Sequence, residues 1–450
     1  MGGAPKPLRI GCGAGFSGDR LEPAVLLAEK GELDYLALEC LAERTIALAQ
    51  LRKRRDPTEG YDPLLKRRVE MLLPVLKRNG IRLISNFGAA NPIAAGEAIL
   101  AIARKLQLLV KVAIVTGDDV MDRIGPERIT LETGRPLSEL GPLISANAYL
   151  GAEAIQPALA SGADIIVTGR VADPSLFVAP IAYHYGWAVS DLDRIARATV
   201  VGHLLECAAQ VCGGYFADPG KKDVPDIANL GFPFADVDSE GNAVIGKVDG
   251  TGGAVTLATV KEQLLYEASD PGAYVTPDVI ADFRGVALEQ IATDRIAVRG
   301  GRANGKSPTL KVSVGYLAGY LGEGEISYAG PNALARAKQA GQIIRERLHG
   351  VFSEIRVDYI GSTSSHGRSF DEAEHPYEVR LRVAARAHSA DTAAIIGEEV
   401  EALYLNGPAG GGGARKHVTE QVGIASTLLE RVEINSVVTV CESAHDPATV

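Results

Sequence analysis

Large aromatic and sulfur-bearing side chains are scarce in this chain. Its 450 residues include three Met, one Trp and nine Phe. The core must therefore be assembled mainly from Ala, Val, Ile and Leu. Cysteine is also sparse: Cys12, Cys40, Cys207, Cys212 and Cys441 are an odd number and form no C-x-x-C pair. That argues against a disulfide framework or a zinc ribbon and points to a reducing cytoplasm. No segment approaches the roughly 18 uninterrupted apolar residues of a membrane span. The opening MGGAPKPLRIG has no apolar stretch of the signal-peptide kind. Positive charge is in deficit, with 46 Lys and Arg against 56 Asp and Glu, a formal net charge of −10. Nucleic acid and anionic membrane are disfavoured as partners by this balance. The Walker loop, the G-x-S-x-G elbow and the H-E-x-x-H helix are all missing.

Glycine, by contrast, is abundant, at 50 residues. Much of it follows short apolar runs. Strands are expected at Leu8–Gly11, Asp34–Leu38, Arg82–Ser85, Lys111–Val115 and Asp164–Thr168. Between them, apolar residues recur at helical spacing in Pro23–Lys30, Leu41–Lys53, Pro63–Arg78, Ala94–Lys105 and Ala152–Ala160. This alternation predicts an α/β domain over 1–285 with a parallel sheet, doubly wound or barrel-like. Over 286–450, strands with fewer intervening helices predict a smaller α+β domain. Residues 191–211 read as one helix. Residues 220–253 read as an extended or irregular excursion that could cover a site, and the prolines of DPGAYVTPDVIADF argue against regular structure there.

The segments after the five strands are GCGAGFSGDR, ECLAE, NFGAANP, VTGDD and VTGRVADPS. In parallel α/β folds, ligands bind beyond the carboxyl ends of the strands, where such loops converge. Gly13, Gly15 and Gly18 also spell the dinucleotide fingerprint G-x-G-x-x-G, with Glu39 at the distance of a ribose-binding acid. Yet Gly18 precedes Asp19-Arg20 rather than opening a helix. In VGHLLECAAQ, His203, Glu206 and Cys207 share a helical face, suited to metal ligation or to an acid/base pair beside a thiol. Arg170 and Asp173 follow a continuous apolar strand. They read as an arginine for capturing a carboxylate or phosphate, or as a loop-stabilising pair. GPAGGGGARKH at 407–417 reads as an anion cradle or a flexible turn.

Taken in order, GAGFSGDR, NFGAANP, NAYLGAEAIQPALASGADIIVTGRVADPSL, GHLLEC, KEQLLYEASDPGAYVTPDVIADF and GPAGGGG resemble the acyclic terpene utilisation (AtuA-type) family over roughly 8–440. That resemblance implies a setting beside enzymes that degrade branched acyl-CoA or carboxylic acids. Some members carry a C-terminal ferredoxin-like module, whose function would here be absent or supplied by a separate small polypeptide. The resulting expectation is a cytoplasmic catabolic enzyme of hydratase/dehydratase, isomerase or lyase type. Glu206, His203, Asp19 and Asp173 are its expected catalytic residues. Arg20, Asn86, Asn91, Asn147 and Arg170 are its expected substrate-binding residues. The cofactor is left open, with a divalent metal as the candidate. The alternatives are a non-catalytic acyl-CoA-binding subunit and an NAD(P)-dependent oxidoreductase. A homo-oligomer is expected from the chain's size.

Overall fold

A computed structural model describes residues 6–367 and 376–443. The chain forms two compact units. One comprises Met1–Leu137, Ile144–Val314 and Ile424–Val450; the other comprises Ser138–Leu143 and Gly315–Gly423. The expected boundary at 285/286 falls within the first, between its tenth and eleventh strands.

The larger unit begins with β1 (Leu8–Cys12), α1 (Glu22–Lys30), β2 (Tyr35–Leu38), α2 (Glu43–Arg55), α3 (Leu65–Asn79), β3 (Arg82–Ser85), α4 (Pro92–Lys105) and β4 (Lys111–Thr116). There follow β5 (Leu143–Ala148), α5 (Ala152–Ala160), β6 (Ile165–Thr168), α6 (Ser175–Tyr185) and α7 (Leu192–Leu205). Next come β7 (Pro233–Val237), β8 (Ala243–Lys247), α8 (Leu257–Leu265), β9 (Tyr274–Val275), β10 (Ile280–Asp282), β11 (Ala287–Ala292), β12 (Arg295–Arg299) and β13 (Arg302–Ala303). The chain then passes into β14 (Thr309–Ala329), α9 (Ala333–Arg347), β15 (Arg356–Ile360), β16 (Glu378–Ala387), α10 (Ala390–Asn406), β17 (Gly412–Glu430) and β18 (Val437–Glu442).

Ten strands join one sheet in the order β11-β12-β8-β7-β1-β2-β3-β6-β4-β18. Its middle, β1-β2-β3-β6-β4, is parallel throughout. Every residue of YLAL (β2) and IIVT (β6) is buried, as strands covered on both faces require. The five parallel strands lie within two residues of their expected limits because continuous apolar runs and glycine-bearing ends leave little freedom. Among the described residues this order leaves two edge strands, β11 and β18.

Three expectations are corrected. Residues 220–253 are irregular only in part: after turns and a 3-10 helix at Ile227–Asn229, β7 and β8 form a hairpin inside the main sheet, and β7 pairs with β1. Five-residue strands among Gly, Asp and Pro carry too little periodicity to stand out. Residues 270–283 hold the short strands β9 and β10, with Pro271 and Pro277 outside them. The 191–211 helix stops at Leu205. Ala208 takes φ = 43° and begins a separate 3-10 turn, Ala208–Cys212.

In the smaller unit the order β14-α9-β15-β16-α10-β17 builds a sheet ordered β15-β16-β14-β17. That is the split βαβ, or ferredoxin-like, arrangement. Ten residue pairs, from Tyr320↔Ala387 to Ala329↔Glu378, hold β14 against β16. Ile326, Tyr328, Ala340, Ile344, Ile396 and Val400 form its core. From Gly412 the glycine-rich segment is strand rather than flexible turn, and Lys416 pairs with Glu401 at 2.6 Å.

Candidate active site

The carboxyl ends of the parallel strands carry a cluster of buried charged groups. Glu39, just after β2, is 6% exposed. It accepts hydrogen bonds from the Leu41 amide (2.6 Å) and Asn86 Nδ2 (3.1 Å). Asn86 is itself fixed, since its Oδ1 accepts from the Cys40 amide at 2.7 Å. Burial, reinforced by the charge of Asp173, pushes Glu39 up to about 8, so it holds a proton at neutral pH.

After β6 comes Arg170, fully enclosed. Its amide donates to Asp118 Oδ2 (2.9 Å), one guanidinium nitrogen donates to the Leu41 carbonyl, and another donates to Asp173 Oδ1 (3.2 Å). The guanidinium lies 3.9 Å from the centre of the Tyr149 ring. Gly169 makes room for this turn: a Cβ there would lie 2.3 Å from Asp118 Oδ1. Asp118, buried, is pushed up to about 6 by desolvation.

Glu43, four residues beyond Glu39, meets the opposite fate. Tyr149 Oη donates to it at 2.5 Å and Lys311 Nζ at 3.0 Å. Burial raises its pKa, but Arg170, Tyr149 and Lys311 outweigh burial and bring it to about 2.

His203 and Glu206 complete the centre. His203 Nδ1 lies 2.9 Å from Glu206 Oε1, and Nε2 lies 3.2 Å from the Leu264 carbonyl oxygen. The ring is caged by Tyr274 and Phe283, with centroids at 4.8 and 5.4 Å. Burial lowers His203 to about 4 and raises Glu206 well above the carboxylate range, with Asp173 and Glu267 adding to the latter. These directions fix the proton. A carbonyl can only accept, so Nε2 carries the hydrogen of the neutral ring. Nδ1 is then an acceptor, and Glu206 donates its carboxylic O–H to it. Among the described residues, Glu206 Oε2 is buried without a hydrogen-bond partner. A buried polar atom left so is costly, on the order of 1–3 kcal/mol.

Asp173 belongs to both halves of the centre, since it pairs with Arg170 and raises the pKa of Glu39 and of Glu206. It also lines a cavity of about 190 Å³ with Tyr149, Tyr274, Thr276, Thr309 and Lys311. At roughly 30 Å³ per water, that is space for about six waters or a small acyl group.

A family model described as "Acyclic terpene utilisation family protein AtuA" matches residues 8–440. The chain belongs to this family. Its role therefore relates to acyclic terpene utilisation. The chain matches no curated protein and no solved structure.

Of the site residues expected from sequence, the AtuA-family fold brings His203, Glu206, Arg170, Asp173 and Asn86 into one centre. Asn147 stands one hydrogen bond away, donating to Asp118 at 2.8 Å. The remaining three are engaged by the chain's own backbone. Asp19 accepts from the Gly15 amide (2.9 Å), and Arg20 donates to the Ala228 carbonyl (2.6 Å). Asn91 caps α4 and donates to the carbonyls of Pro57 and Glu59 at 2.8 and 2.7 Å.

The G-x-G-x-x-G loop does not take dinucleotide form. Its third glycine lies four residues before α1 rather than in it, and the Gly15 amide is already bound to Asp19. Gly15 is required instead for a close approach, because a Cβ there would stand 2.6 Å from the backbone of Cys207. Glu39, the candidate ribose acid, is buried on Asn86. Among the described residues, no group of three or more His, Cys, Asp or Glu is placed to hold a metal ion. Both His203 nitrogens have protein partners, so the 203–207 trio is not arranged as ligands. No helix of the described residues is long and apolar enough to cross a membrane.

Sequence reasoning missed Glu43, Asp118, Tyr149, Tyr274 and Lys311. The strings ECLAE and VTGDD contained two of them. Tyr149 and Tyr274 lie within the strings that carry the family resemblance, whereas Lys311 carries no local signal, because it comes from a strand far along the chain.

Proposed function

We propose that this AtuA-family protein is an acid–base catalyst acting on a small branched carboxylate or its acyl-CoA thioester. The reaction would be a hydration or dehydration, an isomerisation or a lyase cleavage. One observation carries this reading: the buried contact of 2.9 Å between His203 Nδ1 and Glu206 Oε1, with the second carboxyl oxygen of Glu206 unpartnered. A carboxylic acid kept neutral by burial is a proton donor at physiological pH.

Glu206 is the group that gives or takes the substrate proton, and His203 orients it and shares that proton. Asp173 stands at the cavity wall, where it can hold a water or a substrate hydroxyl. Arg170 has its guanidinium engaged by Leu41, Asp173 and the Tyr149 ring, so it positions Asp173 rather than gripping substrate. Lys311 lines the cavity, paired with Glu43 yet half-exposed, and would add its charge to the binding of a substrate carboxylate or of an enolate-like intermediate.

The test is turnover of a panel of unsaturated branched acyl-CoAs and the corresponding free acids by wild type and Glu206→Gln. The expected result is turnover by wild type and loss of about 10²-fold or more in the variant. Equal rates would remove Glu206 from the chemistry. Tight binding without turnover of any panel member would favour a binding subunit instead.

A further inference from the structure

The two edges of the ten-stranded sheet are built differently. At one edge, the pairing of β11 with β12 slips between Gln290 and Ala292. This strand also carries Glu289, paired with Arg299 at 3.1 Å. A bulge and a charge are the usual devices that stop an edge from accepting another strand. At the other edge, β18 pairs with β4 in unbroken register over six residues, from Val437↔Thr116 to Glu442↔Lys111. Its sequence, VVTVCE, has no Pro, Gly, Lys or Arg, and its only charge is Glu442 at the very end. Val437 is 56% exposed and Val440 40%. Leu109, 54% exposed, precedes β4 beside the Glu442 end of β18, where Leu108 and Val110 are hydrogen-bonded to Ser443. Among the described residues, no strand pairs with the outer edge of β18.

A regular, β-branched, nearly uncharged edge of this kind invites strand addition. We infer that β18 is an interface with a second copy of this chain, paired antiparallel across a two-fold axis to continue the sheet. The residues favour that occupant and that direction. Antiparallel pairing centred on Thr439 sets the two Thr439 residues opposite each other and places each Glu442 opposite Ser436 of the other copy, so the two acids stay apart at the ends. Parallel in-register pairing would set Glu442 against Glu442, and like charges directly opposed are destabilising. An isologous contact also closes on itself and leaves no free edge for further growth. Six paired residues alone bury less than the roughly 800 Å² per partner of a stable interface. Leu109 and the flanking α5, which packs on both β4 and β18, supply the additional surface.

The inference is independent of the chemistry proposed for the site. Its test is sedimentation of the full chain at micromolar concentration. A dimer is expected. Thr439→Lys with Val440→Lys should weaken it at least about tenfold, while Ile291→Lys on the β11 edge leaves it unchanged. Should the double variant fail to fold, as judged by circular dichroism, a Thr439→Cys, Cys441→Ser chain decides. Mild oxidation should capture it as a covalent dimer. A monomeric wild type, a dimer indifferent to the β18 lysines, or no covalent capture would each overturn the inference.

Discussion

The loop after β1 and the loop after β2 look alike in sequence: both are short, small-residue turns carrying carboxylates at the end of a parallel strand. The structure separates them. Asp19, half-exposed in the first, folds back onto its own amides. Glu39 in the second is driven into the interior, and Glu43, four residues later, is ringed by Arg170, Tyr149 and Lys311. Burial raises one acid to about 8, and partner charge holds the other at about 2. Residue type and strand-end position are therefore not enough to assign a role. What decides is whether the carboxyl finds water, a cation or neither.

The contrast can be broken most forcefully at the proton store itself. Against the loss of about 10²-fold or more from Glu206→Gln, Asp19→Asn should leave turnover within about threefold, since the Asp19 carboxylate accepts from the Gly15 and Arg20 amides of its own loop. Steady-state rates on the same substrate decide this, and comparable losses from both would erase the distinction between the loops.

Next in size is the pH dependence of stability. Folded Glu39 keeps its proton to about pH 8, whereas the unfolded chain releases it near the ordinary carboxylate value of 4.5. Between those limits the folded state binds more protons, so this group's contribution falls as pH rises, by up to about 1.4 kcal/mol per pH unit. Glu39→Gln should flatten that part of the profile in denaturant unfolding. Glu43 has the opposite sign. Its folded value is depressed, so its contribution is present above 4.5 and is lost as pH falls towards 2. Glu43→Gln should therefore destabilise the chain at neutral pH and little in strong acid. Two profiles of the same slope would show that the pair is not differentiated as described.

The smallest effect belongs to Asn91. Its hydrogen bonds cap α4 and tie two carbonyls, so Asn91→Ala should cost about 1–2 kcal/mol of stability. Substrate KM should not change, and a rise in KM would return Asn91 to the substrate pocket.

The parallel strands were legible because Tyr35–Leu38 and Ile165–Thr168 are continuous apolar runs bounded by turn residues, a pattern few other structures satisfy. The β7–β8 hairpin was not, since PFADV and AVIGK are short and sit among Gly, Asp and Asn. His203 and Glu206 could be paired from their spacing alone, because three residues along a helix is a contact distance. The break in the helix before Ala208 was invisible, as nothing in ECAAQVC marks a left-handed residue.

The amino-acid order by itself determined the strand–helix alternation, the carboxyl-end loops, the His203–Glu206 pair and membership of the AtuA family. These follow from local periodicity, from helical spacing and from long specific strings. Only the tertiary structure decided which acids hold protons, that Arg170 is engaged by the protein itself, and that Tyr274 and Lys311 join the cavity. Ionisation and pocket walls depend on groups brought within a few ångströms from distant parts of the chain, and no local pattern of residues encodes that distance.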